Sequence, residues 1–320
     1  MQQQEAAIDT SIVVPLYNEE SVLPTLIRRL EDLKDLMENQ NLEFILINDG
    51  SSDNTKNLIN EACDTKGFVG IHLSRNFGHQ AAVTAGIFYA QGQYIAVIDG
   101  DLQDPPELIP EMIARIREEG ADVAYGVRTH RKENWFKRTS YFLFYRLLAV
   151  LTPLDIPLDS GDFGVITRQV AEVINSMPEH HRFIRGLRTY AGFKQVPFLY
   201  KRNVRGGGEP KYNLYKLIQL AMDGIFTFSQ TPLKLSTFFG FLVSLFSILY
   251  GLYLLIWRLV MFDQQIPGFA TLAVGMFFLG GVQLICIGIL GEYIGRIHNE
   301  VKGRPPFVVE SIYSFDETKL

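Results

Sequence analysis

The chain has 320 residues, 47% of them hydrophobic, and a formal net charge of −5 at pH 7. An acidic balance of this kind argues against nucleic-acid binding. The only cysteines are Cys63 and Cys286, which excludes a disulfide framework and argues against a cysteine metal site.

Residues 1–10 are polar and carry no apolar signal segment, so the N-terminal part is expected in the cytoplasm. Ser11 to Pro15 reads as a strand. A helix follows from Ser21 to about Met37, with Leu23, Leu26, Ile27, Leu30 and Leu33 at helical spacing. Glu43 to Asn48 is the second strand, ending at Asp49-Gly50, and Asp53 is placed to cap a helix starting near Asn54. Phe68 to Leu73 is a third strand and His79 to Ala90 a small-residue helix, with His79 read as a helix-terminus residue. Tyr94 to Ile98 is a fourth strand, Pro105-Pro106 opens a helix to about Glu118, and Asp122 to Tyr125 is a short fifth strand. This alternation predicts an α/β domain with a largely parallel, Rossmann-like sheet covered on both faces. Ligands in such sheets bind at the carboxyl ends of the strands.

The segment Asp99-Gly-Asp101-Leu-Gln103-Asp104 closes the fourth strand. Two carboxylates one residue apart at a buried strand end cost several kcal/mol, about what an uncompensated buried charge costs. A hard divalent cation, Mg²⁺ or Mn²⁺, compensates them and leaves coordination positions for a diphosphate. A plain Asp-Gly surface turn is the competing reading.

Beyond residue 126 the pattern changes. Trp135 to Leu151 and Leu214 to Phe228 are aromatic-rich and carry basic residues, as interfacial helices do, although helices packed on the sheet also fit. Leu235 to Trp257 contains no charged residue, and its 23 residues reach about 35 Å as a helix. A second apolar body runs from Phe269 to Leu290. The two predict a transmembrane hairpin. Lys234, Arg296, Lys302 and Arg304 flank it, against Arg258 in the connection, so both ends are expected on the cytoplasmic side. The expected organisation is a catalytic domain over 1–231, a membrane hairpin over 232–296 and a cytoplasmic tail over 297–320.

Several motifs resemble a known family. They are Val14-Pro-Leu-Tyr-Asn-Glu19, Asn48-Asp-Gly-Ser-Ser-Asp53, Asp99-Gly-Asp-Leu-Gln-Asp-Pro-Pro106 and Ser160-Gly-Asp-Phe163. Arg202 through Tyr212, Gly291-Glu-Tyr-Ile-Gly-Arg296 and Arg304-Pro305 extend the match along nearly the whole chain. Together they resemble the family 2 glycosyltransferases of the polyprenyl-phosphate type, the class of bactoprenol glucosyltransferases and dolichol-phosphate mannose synthase. The resemblance implies a GT-A catalytic domain followed by juxtamembrane amphipathic helices and two transmembrane helices. It implies sugar transfer, most simply of glucose from UDP-glucose, to a polyprenyl phosphate such as undecaprenyl phosphate, with inversion at C1.

By position, the resemblance gives Pro15, Tyr17, Glu19 and Asp49 to the nucleotide sugar. It gives Asp99, Asp101 and Gln103 to the metal, and Arg205 and Lys211 to a loop that closes on the phosphates. Pro210 stands where relatives usually have a serine before that lysine, which removes a hydroxyl and an N–H. Arg128, Arg131 and Arg202 are the expected cations for the lipid phosphate. Asp162 is expected either to act as a base or to orient a sugar hydroxyl. Competing classes are a processive polysaccharide synthase and a non-catalytic two-span scaffold. The first usually carries a Gln-x-x-Arg-Trp motif, which is absent here. Oligomeric state is left open, a homo-oligomer included.

Overall fold

The computed structural model describes residues 7–128, 160–180, 182–201, 231–260 and 268–315. The expected interfacial helices at 135–151 and 214–228 lie outside the described residues. The chain divides into two compact units.

The first unit is an α/β domain. Its elements begin with β1 (Thr10–Leu16), α1 (Leu23–Leu36), β2 (Leu42–Asn48), α2 (Thr55–Cys63), β3 (Phe68–Leu73), α3 (His79–Tyr89) and β4 (Tyr94–Val97). A 3-10 turn at Pro106–Leu108 leads into α4 (Ile109–Glu119) and β5 (Val123–Arg128). Then come β6 (Ser160–Thr167), α5 (Arg168–Ser176), α6 (Ile184–Tyr190), β7 (Gln195–Tyr200) and β8 (Val309–Ser314). The strands form one sheet of order β7-β5-β6-β4-β1-β2-β3-β8.

The centre is parallel, as predicted: β1 lies between β2 and β4 in register Val13↔Ile45 and Val13↔Val97. The flanks depart from the prediction. β6 inserts antiparallel between β4 and β5, and β8 pairs antiparallel with β3. The sequence hides both. β6 contains Gly161, Asp162 and Gly164, which read as turn residues, and β8 (Val309-Glu-Ser-Ile-Tyr-Ser314) is short and polar, as befits an edge. The segment predicted as a tail therefore supplies a strand to the first unit. Pro15 sits where the β1–β4 ladder stops: Ile98 N still donates to Val13 O, and the absent N–H of Pro15 ends the pairing there.

Residues alternate between two cores, as the two-residue period of a strand requires. Ile12, Val14 and Leu46 face α1, α2 and α4, where Leu23, Leu26, Leu30 and Leu33 are buried and Phe44 stacks on Phe68 at 4.7 Å. Val13, Ile45, Ile47 and Ile71 face α3, α5 and α6. The small residues of α3 let it approach closely. A Cβ at Gly86 would stand 2.2 Å from Val13 Cγ1 and 2.8 Å from Ile47 Cδ1. Gly86→Ala should therefore destabilise the protein by about 1–2 kcal/mol, overpacking outweighing the helix propensity of alanine. A thermal unfolding midpoint at or above wild type would contradict this packing.

His72 is buried on β3, with Asn48 Nδ2 donating to its Nδ1 at 3.2 Å and Asn60 Oδ1 at 2.8 Å from its Nε2. That pattern fits the neutral ring carrying its proton on Nε2. Burial, with Lys56 nearby, pushes its pKa down to about 4. A histidine depressed in the folded state adds stability above its unfolded pKa of about 6.5, and loses it as pH falls from there to about 4. The loss is about 3 kcal/mol. Unfolding midpoints across that window should fall more steeply for wild type than for His72→Gln.

The second unit holds α7 (Thr231–Val260) and α8 (Phe269–Val301), both longer than the predicted apolar runs. Thr231–Leu254 and Val274–Val301 are long and apolar enough to cross a membrane, and among the described residues neither stretch is buried. Phe246, Tyr250, Tyr253 and Trp257 form a ladder of ring contacts along α7, with centroids 6.0–6.4 Å apart.

Candidate active site at the strand carboxyl ends

The loops after β1 and β2 interlock. Asn18, at φ 54°, accepts from Ser52 N at 2.9 Å, and its own N–H donates to Ser51 Oγ at 3.0 Å. Glu19 N donates to Thr55 Oγ1, and Asp53 accepts from Glu20 N and Thr55 N. Asp53, expected to cap the helix, stands one residue before the N-cap, Asn54, and ties the helix start to the preceding loop. Tyr17 remains exposed, while Pro15 is buried in β1.

Asp49, only 3% exposed, accepts from Phe77 N at 2.7 Å and Gly78 N at 2.9 Å. Burial raises its pKa, against those two N–H groups and the charge of His79. Asp49 therefore fixes the loop between β3 and α3. Gly50 follows at φ 64°, and a Cβ there would fall 2.4 Å from the Arg75 carbonyl carbon, so the close approach of the two loops requires glycine.

Asp99 and Asp101 follow β4. Leu102 takes φ 62°, a left-handed backbone costing about 1 kcal/mol or more for a branched residue, and packs against the core while Gln103 N donates to Asp101 Oδ1 at 3.1 Å. The turn is real but it is not a plain surface turn. Burial, joined by the charges of Asp104, Asp162 and Asp101, raises Asp99 to about 6 against the pull of His79. Asp104 is buried and accepts from Tyr200 OH at 2.6 Å. Four carboxylates thus share one region.

Asp162 lies inside β6 rather than in the polar break predicted from the sequence. Its side chain is 6% exposed. Arg185 Nε donates to Oδ1 at 2.7 Å, Gln80 Nε2 donates to Oδ2 at 3.0 Å, and His79 Nε2 stands 3.2 Å from Oδ2. Burial alone would raise its pKa, but His79 and Arg185 outweigh burial and hold it well below the usual carboxylate range. Gln80 also accepts from Ile184 N at 2.9 Å, locking α6 to α3. On α6, Arg188 is 3% exposed, its guanidinium 5.2 Å from the Tyr125 ring centroid. Burial pulls Arg188 down to about 10 while the charge of Asp162 supports it.

The structure gathers Tyr17, Glu19, Asp49, Asp99, Asp101, Gln103 and Asp162 at or near strand carboxyl ends. Arg128 ends β5, paired with Tyr200 of β7. Arg131, Arg202, Arg205 and Lys211 lie outside the described residues. Sequence reasoning missed Gln80, Arg185 and Arg188. The basic run Arg182-Phe-Ile-Arg185-Gly-Leu-Arg188 was the available signal. His79 begins α3 as predicted, but it also faces Asp162 and stands 3.7 Å from Asp99.

The donor set fits a hard divalent cation: burial first, and then the neighbouring carboxylates of Asp104, Asp162 and Asp101, raise the proton affinity of Asp99, and a cation would relieve both. Among the described residues, no three or more His, Cys, Asp or Glu side chains come together so as to hold a metal ion by themselves, so such a cation would draw further ligands from a diphosphate and water.

A sequence model of glycosyl transferase family 2 matches residues 11–174, and a model of the GtrB C-terminal hairpin matches residues 231–297. The glycosyltransferase YkcC of Bacillus subtilis (strain 168) is 44% identical over 98% of this chain and 97% of its own length. The SfII prophage-derived bactoprenol glucosyl transferase of Shigella flexneri is 39% identical over 94% of this chain and 97% of its own. Among solved structures, glucosyl-3-phosphoglycerate synthase from Mycobacterium tuberculosis matches with a TM-score of 0.49 at 19% identity, covering 69% of this chain and 78% of that one. With a GT-A-like sheet beneath the acidic cluster and relatives alike along nearly its whole length, the chain belongs to glycosyl transferase family 2.

Proposed function

We propose that this glycosyltransferase moves a sugar, glucose from UDP-glucose in the favoured reading, onto a polyprenyl phosphate such as undecaprenyl phosphate. The observation that carries it is one chain joining the Asp99–Asp101–Asp162 cluster to two helices of membrane-spanning length. The 39% identity to a protein named as a bactoprenol glucosyl transferase supports the same acceptor.

Asp99 and Asp101, with Gln103 beside them, would hold Mg²⁺ or Mn²⁺. The cation would neutralise charge developing on the departing diphosphate. Asp49 fixes Phe77 and Gly78 and would thereby shape the nucleotide pocket, which Tyr17 and Glu19 of the β1 loop would line. A phosphate monoester has a second pKa near 6 and is largely dianionic at pH 7. Its oxygen attacks C1 as the C1–O bond to the diphosphate breaks, and the diphosphate leaves with the electron pair. No proton needs removal. Asp162, held ionised by three donors, is suited to orient His79, Gln80 and Arg185 around the sugar rather than to accept a proton. Arg128 together with Arg131 and Arg202 would meet the lipid phosphate, and Arg205 and Lys211 the donor diphosphate.

β8 and β3 share a sheet, so the segment after α8 lies on the same side of any membrane as the N-terminal unit. An even number of crossings satisfies this, and the basic flanks favour the cytoplasmic side. The deciding experiment incubates the purified protein with radiolabelled sugar nucleotides, undecaprenyl phosphate and Mg²⁺ or Mn²⁺. A butanol-soluble labelled product is expected, highest with UDP-glucose. An insoluble polymer, or no product with any donor, would overturn the reading.

A further inference from the structure

Arg304-Pro305 is a family-like motif to which the reaction above gives no task. In the first unit it forms part of a cleft of about 540 Å³, whose lining includes Arg75, Phe77, His180, Arg182 and Arg304. That volume is typical of small-ligand sites, roughly 300–1,000 Å³. The lining contains three arginines and a histidine, and no carboxylate.

We propose that this cleft is a second anion site, separate from the acidic cluster, that takes a phosphate group supplied by a lipid headgroup or by free phosphate.

The three guanidinium groups are prepared in different ways. Arg182 is fixed, NH1 donating to Met177 O at 2.9 Å and NH2 to Ile174 O at 2.5 Å; its Nε is buried and makes no hydrogen bond. Arg75 lies over the Phe77 ring, 4.5 Å from its centroid, which limits its rotamers. Arg304 is exposed, and among the described residues it pairs with no carboxylate; Pro305 and Pro306 restrict the backbone behind it. Like charges converging on a concavity repel one another unless an anion enters. The planar fork of arginine matches the oxygens of phosphate. In a chain of net charge −5, three arginines against the nearby carboxylate of Glu179, which acts on Arg182, leave a local surplus of two positive charges, a specific placement.

The cleft shares its walls with the catalytic site. Gln80 lines it and also holds Asp162, and Phe77 lines it while donating its N–H to Asp49. An anion here therefore sits behind the two residues that position α3. Three residues in sequence separate Arg304 from Glu300, near the end of an apolar helix, so a lipid headgroup is a natural source.

The test uses the full chain in neutral detergent, saturated with UDP and Mn²⁺ so that the nucleotide site is filled; only this step rests on the proposed function. Inorganic phosphate and a short-chain phosphatidic acid are titrated separately by calorimetry. Saturable binding is expected, weakened about tenfold or more by Arg304→Glu and largely restored in Arg304→Lys. Binding of phosphatidic acid alone assigns the ligand to a lipid headgroup. Equal binding of both probes assigns it to phosphate itself. No saturable binding of either probe overturns the proposal, as does binding unchanged in both Arg304→Glu and Arg75→Ala. If UDP and Mn²⁺ fail to bind, the nucleotide-sugar reading fails, and the same titrations on the protein alone still decide the cleft.

Discussion

Asp101→Ala is expected to lower turnover by at least about a hundredfold, because it removes a carboxylate from the proposed diphosphate-binding cation. The fold should survive. Asp101 makes one local hydrogen bond, to Gln103 N, worth about 1 kcal/mol. Asp99→Asn should lose nearly as much activity, yet raise the unfolding midpoint, since it relieves a partly buried carboxylate crowded by Asp104, Asp162 and Asp101. Chelation by EDTA should abolish turnover, and Mg²⁺ or Mn²⁺ should restore it. Full turnover in EDTA would return the Asp99–Asp104 loop to a purely structural role.

The second large effect is expected at Asp162. Asp162→Asn leaves the buried Arg188 and the neighbouring Arg185 without their anion. It should lower turnover about a hundredfold or more and cost about 3 kcal/mol of stability. Asp162 has a depressed folded pKa. Its contribution is therefore fully present above the unfolded value of about 3.9 and is lost only as pH falls through the folded value. Between pH 5 and 8 it should not titrate. An acid limb of turnover in that window should follow the acceptor phosphate, near its second pKa of about 6, and Asp99, which burial also raises to about 6. Arg185→Ala should lower turnover but leave the limb in place. If the limb moves upward by a unit or more in that variant, Asp162 is the proton acceptor.

The parallel centre of the sheet was readable because β1, β2, β3 and β4 are continuous apolar runs broken by turn residues. The acidic pair was readable for the same reason: a strand that apolar must end somewhere, and it ends on carboxylates. β6 and β8 were not readable, since their pairing depends on partners far along the chain rather than on local pattern. The surroundings of Asp162 follow from that. Gln80 and Arg185 reach it from α3 and α6, 82 and 23 residues away, and no local spacing encodes such a convergence. His79 was read correctly as a helix start, yet its neighbours across the sheet give it a place beside Asp99 and Asp162.

The pairing of β8 with β3 has a consequence for biosynthesis. Val69 on β3 waits for Ser314, so the outer edge of β3 stays open while some 240 further residues are made, both apolar helices among them. During that interval the ribosome-bound chain presents an unpaired strand edge, the kind of surface that recruits other chains. Membrane insertion of the helices and completion of the sheet are thereby coupled in time. A fragment cut before Thr231 would carry the same open edge permanently and should aggregate, whereas supplying residues 304–315 as a separate peptide should restore its solubility.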